Sequence, residues 1–318
     1  MKQALQFVRG AIASKDLVPI LTHLHIYDGR MQGSNGRITI DCPCPDLKGV
    51  EATVPMIDFT KAVDACDGEP NIKIDGQFME IKKGAFKAKL SLEDHKAYPK
   101  QVPTAGTKSE MSVSFLEEIK TLQPFISNDA SRPWSCGILF QEGRAYATNN
   151  AVIASLPAFQ FPVDTNIPSF LVDELLRISH DIHKAESDGD SITFFYENGG
   201  WCRSVLSALG WPDVSKMIPK DVSGIKITDG MRQALTAIRP FCPDSKVPII
   251  VTSENGFSTR DGNKSATFGG FKLPDGLYRS ENLQLVLEVA SEVDFSKYPQ
   301  PVTFKGPNML SGLIMGVK

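Results

Sequence analysis

One arrangement of structural signals occurs three times along this chain. Each copy reads as the end of a helix, a loop with one basic residue, an apolar strand, a tight turn and a second strand. The copies begin at Val8, Leu122 and Ala237, their basic residues are Lys15, Arg132 and Lys246, and their turns are Asp28-Gly29, Glu142-Gly143-Arg144 and Glu254-Asn255-Gly256. Repetition at a spacing of a little over a hundred residues indicates one structural unit built three times.

Length and repeat spacing together predict three domains. The chain has 318 residues, which is enough for two or three domains, and the spacing favours three. Two segments that lack apolar periodicity, Gln101 to Ser109 and Asp221 to Gly224, are the predicted linkers. The predicted domains are residues 1–104, 105–222 and 223–318.

Helical periodicity predicts six helices, two in each repeat. They are expected at residues 2–13, in ATVPMIDFTKAVDAC, along Phe115, Ile119, Leu122 and Ile126, at residues 169–183, along Met231, Leu235 and Ile238, and near Glu281 to Ala290. Strands are expected between them, including Leu17 to Ile26, NIKIDG, FMEIKKGAFKAKLSL and, after the first linker, MSVSF. Such runs favour an α+β fold in which antiparallel sheets carry helices on one side only.

The composition is that of an ordinary globular protein, with 42% hydrophobic and 22% charged residues. Because no apolar run is long enough to span a membrane and no signal-peptide pattern opens the chain, we expect a cytoplasmic protein without a membrane partner. The six cysteines form no CxxC pair, and most are expected to be reduced and buried. A net charge of −3 means that any contact with DNA needs a local basic surface.

No pattern typical of a catalytic centre is present. The sequence contains no GxSxG, no GxGxxG and no GxxxxGK motif followed by Ser or Thr. His180 and His183 have an H-x-x-H spacing within the helix predicted at 169–183, but no third metal ligand is apparent. Asp261-Gly262-Asn263 indicates a hairpin turn in preference to a calcium loop. The sequence therefore disfavours an enzyme and predicts no catalytic residue, metal or cofactor.

Several stretches resemble motifs of one protein family. In the first repeat, LVPILTHLHIYDGRMQGSNGRITI is similar to a family strand LPIL with its D-G turn. In the second, CGILFQEGRAYATNNAVIASL is similar to the family's L-F-E stretch and its ATDGHRLA sequel, and the closing SGLIMGVK is similar to VVMPMRL. The family is the bacterial β sliding clamp, the processivity subunit of the replicative DNA polymerase. Order, spacing and triplication of the motifs carry this resemblance over essentially the whole chain, and the short, divergent sequence suggests a bacteriophage version.

The resemblance implies three repeated clamp domains, each with antiparallel sheets outside and two helices inside, so that one chain forms half of a ring. A head-to-tail homodimer would enclose double-stranded DNA, after loading by a clamp loader, and would tether the replicative polymerase. Cations facing the DNA would meet phosphates without base contacts. The candidates are Lys2, Arg9, Lys15, Lys61, Arg132, Arg177, Lys184, Arg232, Arg239 and Lys246. The alternative is that these residues lie on ordinary solvated helix faces.

The resemblance also implies a groove between domains 2 and 3 that receives a short peptide from partner proteins. The matching positions are Thr148, Asn150, Ala151, Val152, Ile153, Pro212, Lys216, Met217, Met315, Gly316, Val317 and Lys318. The chain departs from the family here, because Asn150-Ala151-Val152 replaces Gly-His-Arg and Gly-Val-Lys ends the chain. A groove with altered peptide preference is therefore expected, and the alternative is that these are core and boundary residues.

Two other classes of function stay open at this point. A three-domain adaptor could bind peptides or subunits without encircling DNA. A hydrolase with an unrecognised site is a third and less favoured hypothesis. Charge reversal at Lys15, Arg132 and Lys246 distinguishes a clamp from an adaptor, because only a clamp needs these cations against DNA.

Overall fold

The computed structural model describes residues 1–15, 18–208, 210–218, 221–242, 248–254, 256–270 and 272–317. Six helices occur in these ranges, and each is followed by a run of strands. The helices are α1 (Lys2–Val8), α2 (Met56–Asp64), α3 (Phe115–Leu122), α4 (Ser169–Ile178), α5 (Asp229–Ile238) and α6 (Ser280–Val289). No helix in the described ranges is both long and apolar enough to cross a membrane.

The strands follow the helices in groups of three or four. Those after α1 and α2 are β1 (His23–Tyr27), β2 (Arg30–Ser34), β3 (Ile38–Pro43), β4 (Ala52–Pro55), β5 (Asn71–Asp75), β6 (Phe78–Lys83), β7 (Phe86–Ser91) and β8 (Thr107–Glu110). Those after α3 and α4 are β9 (Gly137–Gln141), β10 (Arg144–Thr148), β11 (Val152–Pro157), β12 (Thr165–Pro168), β13 (Ile182–Ser187), β14 (Ser191–Tyr196), β15 (Trp201–Val205) and β16 (Ile225–Lys226). Those after α5 and α6 are β17 (Ile249–Ser253), β18 (Gly256–Thr259), β19 (Ser265–Thr267), β20 (Gly276–Arg279), β21 (Glu292–Asp294), β22 (Val302–Lys305) and β23 (Ser311–Ile314).

The first compact unit consists of Met1–Val113 and Asp173–Leu206. It contains an eight-stranded sheet in the order β4-β1-β2-β3-β15-β14-β13-β8 and a three-stranded sheet β5-β6-β7. All neighbouring strands are antiparallel, as predicted, and β3 joins β15 through pairs such as Ile40 with Cys202. Leu24, Val54 and Phe59 are fully buried and belong to the core of this unit.

The second compact unit consists of Ser114–Val172 and Ser207–Lys318. Its eight-stranded sheet has the order β12-β9-β10-β11-β23-β22-β21-β16, which repeats the arrangement of the first unit. Here β11 joins β23, with Ala154 opposite Gly312. A separate four-stranded sheet has the order β19-β18-β17-β20. Each eight-stranded sheet is thus made from two four-stranded halves, whereas the four-stranded and three-stranded sheets are joined to no other sheet within the described residues.

The helices bury the faces that the sequence predicts. Phe115, Ile119 and Leu122 of α3 are buried, and so are Met231, Leu235 and Ile238 of α5. Helix α5 begins after Thr228, whose hydroxyl accepts a hydrogen bond from the backbone N–H of Met231 at 3.3 Å. Such a cap satisfies a donor that the first helical turn leaves unpaired.

Two predicted elements are wrong at their boundaries. The strand expected from Leu17 to Ile26 begins only at His23, because Pro19–Thr22 form a 3₁₀ turn with the proline at its start. Asp16 and Leu17 lie outside the described residues. The helix expected at 169–183 ends at Ile178, since Ser179 adopts a left-handed conformation with φ of 53°. Its last part is the start of strand β13, so His180 and His183 do not share a helix face.

The first linker is also shorter than predicted. Thr107–Glu110 form β8, which pairs with β13, and the segment MSVSF expected as a strand lies after it. The β-propensity of MSVSF is therefore overridden by the pairing partner that the tertiary fold offers to TKSE. The cysteines are all free, and five of the six are buried.

Candidate functional site

An apolar groove opens on the second compact unit where the β10–β11 turn, the end of β23 and the segment 211–217 meet. Its volume is about 330 Å³. Eight of the predicted groove residues come together in its wall: Thr148, Asn150, Ala151, Val152, Ile153, Pro212, Met217 and Met315. Trp134, Val214 and Leu313 complete the wall and were not predicted.

The β10–β11 turn is fixed by its own side chains. The Asn149 amide oxygen accepts the backbone N–H groups of Ala151 and Val152, at 3.1 and 2.8 Å. Asn150 has φ of 70°, a left-handed conformation that asparagine tolerates better than most residues. This backbone requirement explains how asparagine can occupy position 150, where the similar family motif has glycine.

The floor of the groove is a continuous apolar cluster. Leu139, Tyr146, Ile153 and Leu313 are at most 7% exposed and pack with Val214. Burial raises the pKa of the Tyr146 phenol, so this ring stays neutral.

The rim of the groove leaves apolar surface in contact with solvent. Met217 is 50% exposed and Met315 is 46% exposed. Trp134 meets Trp211 edge-on, with ring centroids 5.1 Å apart. A buried apolar floor beneath exposed methionines is the arrangement that accepts an apolar side chain of a partner.

A second cavity of about 950 Å³ adjoins the groove and shares Arg132, Asn150, Ala151 and Met315 with it. Gly316 and Val317, two more predicted residues, line this cavity. The terminal segment is held in place by backbone hydrogen bonds, from Met315 N–H to Ala151 O at 2.8 Å and from Val317 N–H to Leu277 O at 2.7 Å. Arg260 and Arg279 also line the cavity and were missed in the sequence.

One predicted groove residue in the described part of the chain, Lys216, is absent from the walls of both cavities. Lys216 is solvent-exposed and pairs with Asp213 at 2.8 Å; the hydrogen bond between them raises the pKa of the lysine and lowers that of the aspartate. Lys318 lies outside the described residues. A single sequence gives the position of a loop but not the direction of its side chains. For this reason the sequence did not show that Lys216 points into solvent.

The predicted DNA-facing cations divide into exposed and engaged residues. Lys2, Arg9, Lys15 and Lys61 are exposed, and Lys2 makes only a long ion pair with Asp64 at 3.9 Å. Lys246 lies outside the described residues. Arg132 lines both the groove and its adjoining cavity, so it neighbours the groove residues.

Two predicted cations hold neighbouring helix ends. Arg177 donates to the carbonyls of Gln6 and Phe7, each at 2.7 Å, and pairs with Glu174. Arg232 donates to Leu287 O at 2.9 Å and Ala290 O at 3.3 Å. Gln6, Phe7 and Leu287 lie in the last turns of α1 and α6, and Ala290 directly follows α6. Carbonyl groups at such helix ends have no partners within their own helix.

The two remaining cations are half-buried. Arg239 donates to the Ser280 hydroxyl at 3.1 Å. Lys184, which was predicted on a helix face, belongs to strand β13, pairs with Glu186 at 3.0 Å and lies over the Phe195 ring. The helix prediction was wrong there because the 3.6-residue pattern of α4 continues by chance into the first residues of β13.

The described residues contain no group of three or more His, Cys, Asp or Glu side chains placed to hold a metal ion. The missed groove residues carried weak signals. Trp134 lies in a 3₁₀ turn and Val214 in a loop, while Arg260 follows β18 and Arg279 is the last residue of β20. Only the fold brings these positions to one place.

The comparisons with known proteins agree with this architecture. No protein-family model matches the sequence, and no curated protein matches it either. Solved structures do match over 100% of the chain. They include the DNA polymerase sliding clamp of Bacillus subtilis, with 19% identity, a TM-score of 0.82 and 96% of that chain covered.

Two further structures have the same fold. The DNA polymerase III beta chain of Streptococcus pneumoniae is 18% identical, with a TM-score of 0.83, 100% of this chain covered and 97% of that one. The Helicobacter pylori beta clamp bound to a DNA ligase peptide is 16% identical, with a TM-score of 0.80 and the same coverage. The chain therefore has the sliding-clamp fold, which confirms the predicted fold class.

Proposed function

We propose that this chain is a DNA polymerase processivity factor that acts as a head-to-tail dimeric ring around duplex DNA. The proposal includes three repeated domains, residues 1–104, 105–222 and 223–318. It is supported by the shared fold and, above all, by the joining of two half-sheets, which occurs twice within the described chain and leaves a third pair of sheets separate.

The sheets supply that observation. Twice, the third strand after an odd-numbered helix joins the third strand after an even-numbered helix: β3 joins β15, and β11 joins β23. By the same rule, β19, the third strand after α5, would pair with β7, the third strand after α2. In the described chain β19 and β7 are edges of separate sheets. A second copy of the chain would pair its β7 with β19 of the first copy and its β19 with β7 of the first copy. These two junctions, related by a twofold axis, would close a ring.

The mechanism would be topological. A ring around DNA retains it without base contacts, because exposed cations meet phosphates loosely and can exchange them during sliding. Lys2, Arg9, Lys15 and Lys61 are the described cations free enough for this role. No catalytic step is assigned to the chain.

The groove would tether partners. An extended peptide from the replicative polymerase, or from the clamp loader, would insert an apolar side chain over Ile153 and Leu313, between Met217 and Met315. An adaptor that binds peptides without encircling DNA would use the same groove, so the ring junction and not the groove separates the two functions.

Cysteines at the proposed junction test the ring. Ala88 and Ala266 are small, half-buried residues in β7 and β19. The double variant Ala88→Cys/Ala266→Cys should form covalent dimers on mild oxidation, because antiparallel neighbours bring Cβ atoms close enough for a disulfide. Oxidation in the presence of circular plasmid should leave protein on the DNA in high salt, and linearising the plasmid should release it.

Each single cysteine variant is the control and should give neither product. A double variant that remains monomeric after oxidation would contradict the ring. Covalent dimers that are never retained on circular DNA, even when oxidised from dilute monomers mixed with the plasmid, would favour the adaptor.

A further inference from the structure

The cavity beside the apolar groove is strongly basic. Arg132, Arg260 and Arg279 line it, and Asp129 is the one acidic residue among its described lining. Asp129 already accepts hydrogen bonds from Ser131, which together with Arg132 lower its pKa, and its carboxylate lies 3.9 Å from the Arg132 guanidinium. Three cations therefore face one carboxylate in a space of about 950 Å³.

The side chains of Arg260 and Arg279 have no structural role within the described fold. Both are exposed, and neither guanidinium group makes an ion pair or hydrogen bond with another described residue. This contrasts with Arg177 and Arg232, whose guanidinium groups are occupied by helix carbonyls. Arginine is suited to hold carboxylates in two-pronged hydrogen bonds, so an unengaged pair beside a binding groove indicates the charge of the occupant.

The two cavities form one continuous surface. Arg132, Asn150, Ala151 and Met315 belong to both walls. A peptide whose apolar side chain lies over Ile153 would therefore extend past Met315 into the basic cavity. Charge complementarity would then act on the residues that flank the apolar anchor.

We propose that the peptide recognised by this groove is acidic: it carries one or two carboxylates beside its apolar anchor, and these carboxylates bind Arg260 and Arg279. This inference rests on the proposed peptide-binding function of the groove. Arg260 and Arg279 are the residues that determine specificity, while the apolar floor supplies most of the affinity.

A peptide array tests the charge preference. It would contain fluorescent heptapeptides with Leu, Phe or Met as the apolar anchor and two Glu residues in every placement around it, each beside a twin with two Gln residues. The best Glu peptides should bind about tenfold more tightly than their Gln twins, as expected for one or two partly exposed charge-assisted contacts. The advantage should shrink as salt is raised, because rim charges are screened.

Charge reversal assigns the effect to the two arginines. In the double variant Arg260→Glu/Arg279→Glu the preference for Glu peptides should be lost, while twins with Lys should gain. Lys48→Glu/Lys96→Glu is the matched control, since it changes the net charge equally at two exposed lysines of the first unit and should leave the preference unchanged.

The outcomes separate this inference from the function on which it rests. Equal binding of Glu and Gln twins to the wild-type chain, or a preference that survives charge reversal, would overturn the acidic peptide alone. Failure of every peptide to bind would contradict the groove and this inference together. A double variant that loses binding of a short DNA duplex while its peptide preference is unchanged would assign these arginines to phosphates instead.

Discussion

The two eight-stranded sheets share one topology but differ on one face. In the first unit, the row across the sheet is His25, Gln32, Asp41 and Trp201; in the second, the row in the same register is Leu139, Tyr146, Ser155 and Ser311. The polar row is covered by the segment 98–101. The second row, in which Leu139 and Tyr146 stand where the first row has His25 and Gln32, is only partly covered by the segment 211–217, and there the groove opens.

The cover in the first unit is held by hydrogen bonds to the row itself. Gln32 exchanges two hydrogen bonds with the Gln101 backbone, at 2.8 and 3.0 Å. The Tyr98 ring stacks on His25, with centroids 4.7 Å apart, and is only 5% exposed. In the second unit Trp211 and Val214 make only apolar contacts with the row, and Met217 stays exposed. A segment that is hydrogen-bonded to the sheet closes over it, whereas a segment held by apolar contacts leaves surface for a partner.

The arginine at the sheet junction shows the same contrast. Arg30 donates to the fully buried Asp41 at 2.5 Å, and Tyr27 and Gln32 donate to the same carboxylate. Arg144, in the equivalent place, donates to two serine hydroxyls, Ser155 at 2.9 Å and Ser311 at 3.2 Å. The first junction therefore depends on a buried ion pair and the second does not.

The largest expected effect is the loss of that ion pair. Asp41→Ala leaves Arg30 without its partner and removes the acceptor of two buried donors, so the free energy of unfolding should fall by about 3–5 kcal/mol. Ser155→Ala is the matched change in the second unit and should cost about 1 kcal/mol. Denaturant titration of both variants measures the difference; equal losses would show that the two junctions are not distinct.

An intermediate effect is expected at the groove. Met217→Glu places a charge on the apolar rim beside the partner's anchor and should weaken the tightest peptide of the array more than tenfold. Stability should change little, because Met217 is 50% exposed. Met309→Glu is the control, since Met309 is 72% exposed and lies outside the groove lining. Similar losses of peptide binding in both variants would contradict the position of the groove.

The smallest effect concerns pH. Burial, followed by the charge of Lys100, lowers the pKa of His25 below its ordinary value of 6.5. The unfolded chain therefore binds this proton at a higher pH than the folded chain, and stability should fall as pH drops below about 6.5, by at most about 1.4 kcal/mol per pH unit.

His25→Leu copies Leu139 of the second unit and tests this directly. The variant should reduce the slope of unfolding free energy against pH between pH 5 and 7. Leu24→Ile is the control, because it alters a buried neighbour of His25 without removing a titratable group and should leave the slope unchanged. An unaltered slope in His25→Leu would contradict the assigned pKa shift.

Sequence alone determined the repeating order of helices and strands, the buried faces of the helices and the antiparallel sheets, because local periodicity and turn residues are encoded within a few neighbouring residues and their order recurs along the chain. The eight predicted residues of the groove wall came from the resemblance to the clamp motifs. Asn150 and Ile153 were matched through that resemblance, and the turn that places them is fixed locally by the side chains of Thr148 and Asn149.

Tertiary structure decided what depends on distant partners. It ended α4 at Ile178, engaged Arg177 and Arg232 with helix carbonyls, and brought Arg260 and Arg279 to the edge of the groove. Whether a cation is free or engaged depends on which acceptors the fold places within hydrogen-bond distance, and those acceptors are tens to hundreds of residues away along the chain. A helix pattern specifies which side is polar, but only packing specifies what that side meets.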